Sequence, residues 1–177
     1  NDWQKSMDYF IGFKGLLILD ADALNRISQS KLGSKFFLER KFKTWITPHS
    51  KEFLRLFPNI KSENNVELAL EAAKEFNISV LLKGAHSIVA DNKKAWQIIG
   101  TDSQTARAGL GDLLSGFLAG NSAIDLTFDR NITTELFAKY TLLHSYASYK
   151  CKSGSNAHDI GYELSKLMRN RKMRQIS

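Results

Sequence analysis

Two short apolar runs, each closed by a charged residue, most restrict what this chain can fold into. The first is Gly15-Leu16-Leu17-Ile18-Leu19-Asp20 and the second is Ile78-Ser79-Val80-Leu81-Leu82-Lys83-Gly84. Continuous apolar runs of this length suit strands buried on both faces, as in a parallel sheet, rather than strands with one wet face. A weaker strand, Trp45-Ile46-Thr47-Pro48, is stopped by its proline. Between the strands, Val66, Leu68, Ala69, Leu70, Ala72, Ala73 and Phe76 recur at helical spacing among Glu and Lys. This predicts an amphipathic helix over 65–76, with Asn77 as its stop. Helix followed closely by strand is an α/β unit.

Further along, Ser87-Ile88-Val89-Ala90 and Ala95-Trp96-Gln97-Ile98-Ile99 flank Asp91 to Lys94 and read as an antiparallel edge hairpin. Three more helices are expected: from Asp112 to Gly120, from Thr134 to about Lys150, and from Asp159 to about Met168. Asn121 to Asn131 reads as a loop. Repeats and low-complexity linkers are absent, so residues 1–177 are expected to form one domain with no second domain.

The chain has 177 residues, 43% of them hydrophobic and 24% charged, which is the composition of an ordinary globular domain. Its apolar runs are too short to span a membrane as a helix. The first residues carry no signal-peptide pattern and no initiator Met, so the chain is expected to be a segment of something longer. One cysteine, Cys151, excludes an internal disulfide and fits a reducing cytoplasm. The net charge of +7 includes Lys166, Arg169, Arg171, Lys172 and Arg174 in one terminal run. Setting those five aside leaves +2, and no aromatic residues are interleaved for base stacking. The expectation is a solvated run, with no nucleic-acid or membrane partner.

In open α/β sheets, ligands bind beyond the carboxyl ends of the strands. Those ends carry Asp20-Ala21-Asp22-Ala23-Leu24-Asn25, Thr47-Pro48-His49 and Lys83-Gly84-Ala85-His86-Ser87. A glycine-rich turn, Gly109-Leu110-Gly111-Asp112-Leu113-Leu114-Ser115-Gly116, runs into a helix. Such a turn lets backbone N–H groups converge on an anion, and the helix N-terminus adds partial positive charge. The plain alternative is a tight turn with Asp112 as a cap. By the same plain reading Asp20 orients a loop, Asp22 makes an Asx-turn, and His49, His86 and His158 are surface residues. Phe36, Phe37, Phe42 and Trp45 read as core or subunit interface. No His, Cys or carboxylate spacing suggests a protein metal site.

In this order the four segments resemble the ADP-dependent NAD(P)H-hydrate dehydratases, the ribokinase-like domain of the bifunctional nicotinamide-nucleotide repair proteins. Leu19 to Asn25 looks like the family's Leu-Asp-Ala-Asp-Ala-Leu-Asn. Thr47-Pro48-His49-Ser50-Lys51-Glu52 is similar to its Thr-Pro-His-x-Gly-Glu. Leu82 to Ala85 looks like its Leu-Lys-Gly-Ala, and Gly109 to Gly116 resembles its Gly-x-Gly-Asp-Val-Leu-Ser-Gly. Leu143-His144 and Ala157 to Ile160 echo later positions. The resemblance runs from about residue 15 to 168. Lys51 stands where the family usually has Gly, Arg107-Ala108 replace its Thr-Gly, and Leu110 replaces a small hydroxyl residue. The family also carries an earlier glycine-rich segment and about a further third of the domain, so this chain is expected to be the C-terminal portion of the domain.

The resemblance implies a ribokinase-like α/β fold, a mostly parallel sheet flanked by helices. It implies dehydration of NADHX or NADPHX, with ADP hydrolysed to AMP and phosphate. By position, Asp112 would be the general base and would touch substrate, and His49 would contact the hydrated dinucleotide. Lys83, Gly84, Ala85, His86 and Ser87, with Ala108, Gly109, Leu110 and Gly111, would hold the nucleotide. Mg²⁺ would accompany ADP, without a dedicated carboxylate cage. A homo-oligomer, a tetramer by family resemblance, and fusion to an epimerase domain are also implied. A kinase of the same superfamily acting on a vitamin precursor alcohol, or a non-catalytic nucleotide-binding segment, are the competing expectations.

Overall fold

The computed structural model describes residues 2–99, 109–151 and 154–173. The chain divides into two compact units, Asn1–Gln97 and Ile98–Ser177. The first unit opens with helix α1 (Asp2–Gly12), then strand β1 (Leu17–Leu19), helices α2 (Ala21–Gln29) and α3 (Lys35–Glu39), and strand β2 (Thr44–Ile46). Helices α4 (Ser50–Leu56) and α5 (Asn65–Phe76) follow, then strands β3 (Ser79–Leu82), β4 (Ser87–Ala90) and β5 (Ala95–Ile98).

The five strands lie in sequence order, β1-β2-β3-β4-β5. β1 pairs parallel with β2, Ile18 opposite Trp45, and β2 pairs parallel with β3, Ile46 opposite Val80. β3 meets β4 antiparallel, Leu81 opposite Val89. β5 closes the sheet as the expected hairpin neighbour of β4, with Asp91 Oδ1 accepting from the Lys93 and Lys94 amides at 2.8 Å. β2, β3 and β4 are buried throughout, as their apolar runs require. β1 is less buried than expected, with Leu17 and Ile18 half-buried, because it lies at the other end of the sheet.

The 65–76 helix forms with the predicted limits. Asn64 caps its start by accepting from Val66 N, and Asn77 ends it in the left-handed conformation (φ +51°). Leu68, Ala69, Ala72, Ala73 and Phe76 face the core. Phe36, Phe37 and Trp45 are core residues, while Phe42 lies at the surface. Phe37, Phe57 and Phe76 pack ring against ring with centroids 4.9–6.3 Å apart. Each buried ring contributes on the order of 2 kcal/mol of hydrophobic stabilisation.

The second unit contains three helices among its described residues: α6 (Leu110–Thr127), α7 (Thr134–Lys150) and α8 (Ala157–Met173). The expected loop over 121–131 is corrected here, because α6 continues to Thr127. The helical pattern is hidden in the sequence because Ser122 and Asp125 occupy its buried face. Asp125 is held there by the Tyr140 hydroxyl and by Arg130 Nη1 at 2.9 Å. Ala147, Ile160 and Leu164 form the centre of the α7–α8 packing, joined by Leu110, Leu113 and Phe117 from α6. No described helix is long and apolar enough to cross a membrane.

Candidate functional site

The carboxyl ends of β1, β2 and β3 bring together Asp20, His49 and Lys83, as parallel pairing of these strands demands. Register continues past β2 and β3, with a bridge between His49 and Lys83 and a 2.8 Å hydrogen bond from Lys83 N to Pro48 O. The Lys83 ammonium reaches back to Asp20 Oδ1 at 2.8 Å. The same oxygen accepts from Ala21 N at 2.9 Å and so caps α2. The expected polar strand-end loop is thus a helix start. Ala21 itself has φ +45°, an uncommon conformation for a residue with a Cβ.

His49 is the N-cap of α4. Its Nδ1 accepts from Lys51 N (3.1 Å) and Glu52 N (3.4 Å), while Glu52 Oε2 accepts from His49 N (2.9 Å). Committing Nδ1 as an acceptor leaves the proton on Nε2. Nε2 lies 3.4 Å from Glu52 Oε1, and the imidazole is 48% exposed, so a ligand can reach it. Glu52 is a positioning residue that motif reading passed over. The signal was present, because a cap residue followed three positions later by Glu is the capping-box pattern, here with His in the place of Ser or Thr. Lys51, the departure from the family's Gly, is exposed on the first turn of α4 beside His49.

Gly84, Ala85 and His86 are exposed between β3 and β4. Buried Ser87 closes the turn, its Oγ lying 3.4 Å from both Gly84 N and Gly84 O. A Cβ on Gly84 would meet only His86 O, at 3.9 Å, so the backbone here is open.

In the second unit, Gly109 caps α6 with φ +81° and supplies no side-chain acceptor. Leu110, Gly111 and Asp112 occupy the first turn, whose N–H groups have no intrahelical acceptors. Asp112 is exposed at the third helical position. This is the geometry of an anion site with a carboxylate beside it. The expected nucleotide contact at Ala108, and the Arg107 departure, lie outside the described residues. His158 is exposed, as expected, and Lys166 of the basic run is spoken for: its Nζ lies 2.7 Å from Glu163 and 4.3 Å from the Tyr162 ring centroid. Among the described residues no group of three or more His, Cys, Asp or Glu could hold a metal ion.

His144 is the residue sequence reasoning left without a role. It is buried on α7, and burial pulls its pKa down to about 4.

Residues 2–168 match the family model described as NAD(P)H-hydrate dehydratase. A bifunctional NAD(P)H-hydrate repair enzyme of Synechocystis is 39% identical over 114 residues, 64% of this chain and 22% of the relative. An ADP-dependent (S)-NAD(P)H-hydrate dehydratase of Nitrosopumilus maritimus is 38% identical over 78 residues, 42% of this chain and 27% of the relative. The chain therefore matches 22% and 27% of the length of these two curated relatives, about a quarter of each. The Bacillus subtilis ADP/ATP-dependent NAD(P)H-hydrate dehydratase, co-crystallised with ATP and Mg²⁺, superposes with TM-score 0.72 at 21% identity, covering 94% of this chain and 59% of that one. Ribokinase from Thermotoga maritima aligns with TM-score 0.55 at 14% identity, covering 92% of this chain and 53% of that one, so the fold is ribokinase-like. Taken with the strand-end residues and the glycine-capped helix, the match along residues 2–168 means that the chain belongs to the NAD(P)H-hydrate dehydratase family.

Proposed function

We propose that this chain carries the ADP-dependent dehydration of NADHX and NADPHX to NADH and NADPH, with ADP converted to AMP and phosphate. The carrying observation is Asp112, exposed on the first turn of α6 behind a glycine cap that offers no acceptor of its own. Asp112 takes the proton of the ring hydroxyl as that oxygen attacks the β-phosphorus of ADP. The bond from that phosphorus to the AMP oxygen breaks, and AMP leaves. The phosphorylated ring then loses phosphate together with a proton from the neighbouring carbon, which restores the double bond. Phosphate is a far better leaving group than hydroxide, which is the chemical reason for using ADP. The helix N-terminus favours the ionised carboxylate, and the N–H groups of Gly109, Leu110 and Gly111 stabilise charge on the transferred phosphoryl group.

In the first unit, His49 offers Nε2–H to the hydrated nucleotide, and Lys83 to Ser87 offer an open turn to the AMP portion. Mg²⁺ would neutralise charge on the ADP phosphates, held by those phosphates and by water rather than by a cluster of protein carboxylates. Fusion to an epimerase domain, which the resemblance implies, belongs to the same reading, and a relative named as a bifunctional repair enzyme is in keeping with a second activity. Assembly as a homo-oligomer and a cytoplasmic location belong to it as well.

The test follows reduced-nicotinamide absorbance after NADHX and ADP are added to the full-length protein and its Asp112→Asn form. ADP-dependent turnover that falls at least 1000-fold in Asp112→Asn, with ADP still bound, is expected on the scale of losing a general base together with its charge. A folded protein that binds ADP and yields no reduced nicotinamide would overturn the reading. Consumption of ATP with accumulation of a stable phosphorylated alcohol would identify a kinase instead.

A further inference from the structure

Three loops leave the carboxyl end of the sheet in the first unit, and one residue ties them together. β2 lies between β1 and β3, so two strand spacings, roughly 10 Å, separate the backbones of Asp20 and Lys83. The Lys83 side chain passes the end of β2 and sets its ammonium 2.8 Å from Asp20 Oδ1. Its backbone holds the middle loop as well, because Lys83 N donates to Pro48 O at 2.8 Å. One strand over, Thr47 N donates to Leu19 O at 3.1 Å. Lys83 directly follows β3 and opens the 83–87 turn, where Gly84, Ala85 and His86 are exposed. It is the point at which that turn joins the sheet.

The pair is largely withdrawn from water, with 12% of the Asp20 side chain and 27% of the Lys83 side chain exposed. A carboxylate at this distance cancels most of the field that an ammonium would present to a second anion. Asp20 Oδ1 is itself fixed, since it also accepts from Ala21 N at 2.9 Å. Ala21 keeps φ +45°, a conformation that persists in a residue with a Cβ only where its surroundings over-determine it. The carboxylate, the strained residue after it and the ammonium form one fixed assembly beside the turn.

We propose that Asp20 is a positioning residue for the nucleotide: it holds the Lys83 ammonium as a strut past the end of β2, so that Lys83 serves the AMP portion through the pose of its turn and not as a cation on a phosphate. The inference deepens the nucleotide reading of residues 83–87 and rests on it for the ligand. The strut itself stands on β1, β2 and β3 alone. The two roles for Lys83 differ in sign. If the ammonium served a phosphate, neutralising Asp20 would free it and tighten nucleotide binding. If the ammonium is a strut, neutralising Asp20 slackens the turn and weakens binding.

The experiment uses the full-length protein with its Asp20→Asn, Lys83→Met and doubly substituted forms. Amide hydrogen exchange of Thr47 and Lys83 is read first, and each single variant is expected to speed it at least fivefold. Calorimetric binding of AMP and of ADP follows. Each single variant is expected to weaken both nucleotides about fivefold, the scale of one partly buried ion pair, and the double variant no more than twofold further. With NADHX present, KM for ADP is expected to rise by the same factor in Asp20→Asn while kcat falls less than threefold. Tighter or unchanged nucleotide binding in Asp20→Asn overturns the proposal, as do losses that add in the double variant. Unchanged exchange in both single variants overturns it too. If the native protein binds neither AMP nor ADP, the functional reading fails by itself, and exchange alone judges the strut. If Asp20→Asn does not fold, Lys83→Met carries the exchange test with the same two outcomes.

Discussion

The Lys83 ammonium and the Asp20 carboxylate meet at 2.8 Å although 63 residues separate them. Parallel pairing of β1 and β3 on either side of β2 puts both residues at the same end of the sheet. The carboxylate oxygen that holds the ammonium also caps α2 through Ala21 N. Asp20→Ala removes both functions and is expected to cost about 2 kcal/mol. Asp20→Asn keeps an acceptor for the cap, loses only the charge, and is expected to cost about 1 kcal/mol. Urea unfolding of the two variants and of Lys83→Met checks this. The ion pair accounts for the Asn loss if Lys83→Met adds little on top of Asp20→Asn. Equal losses for Asn and Ala would mean that the cap contributes nothing.

His49 faces solvent with its Nδ1 fixed by backbone donors, so its orientation depends on the capping box with Glu52. Glu52→Ala frees His49 N and loosens the first turn of α4. A stability loss of about 1 kcal/mol is expected, or a fall in Tm of about 3 °C for a chain of this size. KM for the hydrated nucleotide should rise in Glu52→Ala while ADP affinity stays near native. Calorimetric binding of each ligand separates the two.

Burial of His144 has a pH signature of defined sign. Its folded pKa of about 4 lies below the ordinary value of 6.5. Between those values the unfolded chain binds a proton that the folded chain refuses. Stability from this residue is therefore full above pH 6.5 and is lost as pH falls towards 4, by about 3 kcal/mol at most. Urea midpoints measured from pH 7.5 down to 4.5 should show this slope. They should show a flatter acid limb in His144→Leu.

Arg40 is buried and donates to the carbonyls of Phe10, Phe13 (2.7 Å) and Gly15 (2.5 Å) and to Thr44 Oγ1 (2.8 Å). Burial lowers its pKa, but the guanidinium stays charged near neutral pH. It ties the segment between α1 and β1 to the start of β2. Arg40→Met would leave those acceptors unpaired and is expected to cost about 3 kcal/mol. Arg40→Lys should recover little of that, since one ammonium cannot span a planar fork of partners. Thermal unfolding of both variants provides the comparison.

Local pattern and tertiary context divided the work differently along the chain. The helix over 65–76 was readable to the residue because its apolar spacing, Asn64 and Asn77 all point to one answer. The hairpin around Asp91 was readable for the same reason. The segment after Asn121 was not, because Ser122 and Asp125 look like loop residues until Tyr140 and Arg130 arrive to satisfy Asp125. α2 escaped notice because only Leu24 and Ile27 of its nine residues are buried.

The sequence by itself determined the α/β class, the polar strand ends and the glycine turn before Asp112, since backbone conformational limits and burial periodicity act over a few residues. Only the tertiary structure decided that Lys83 is held by Asp20 and that Asp125 is satisfied by Tyr140 and Arg130. Each of these is a hydrogen bond or ion pair whose geometry depends on pairing register or helix packing. Such contacts exist only after segments far apart in the chain, or a helix start and its own sheet neighbour, have been brought within about 3 Å.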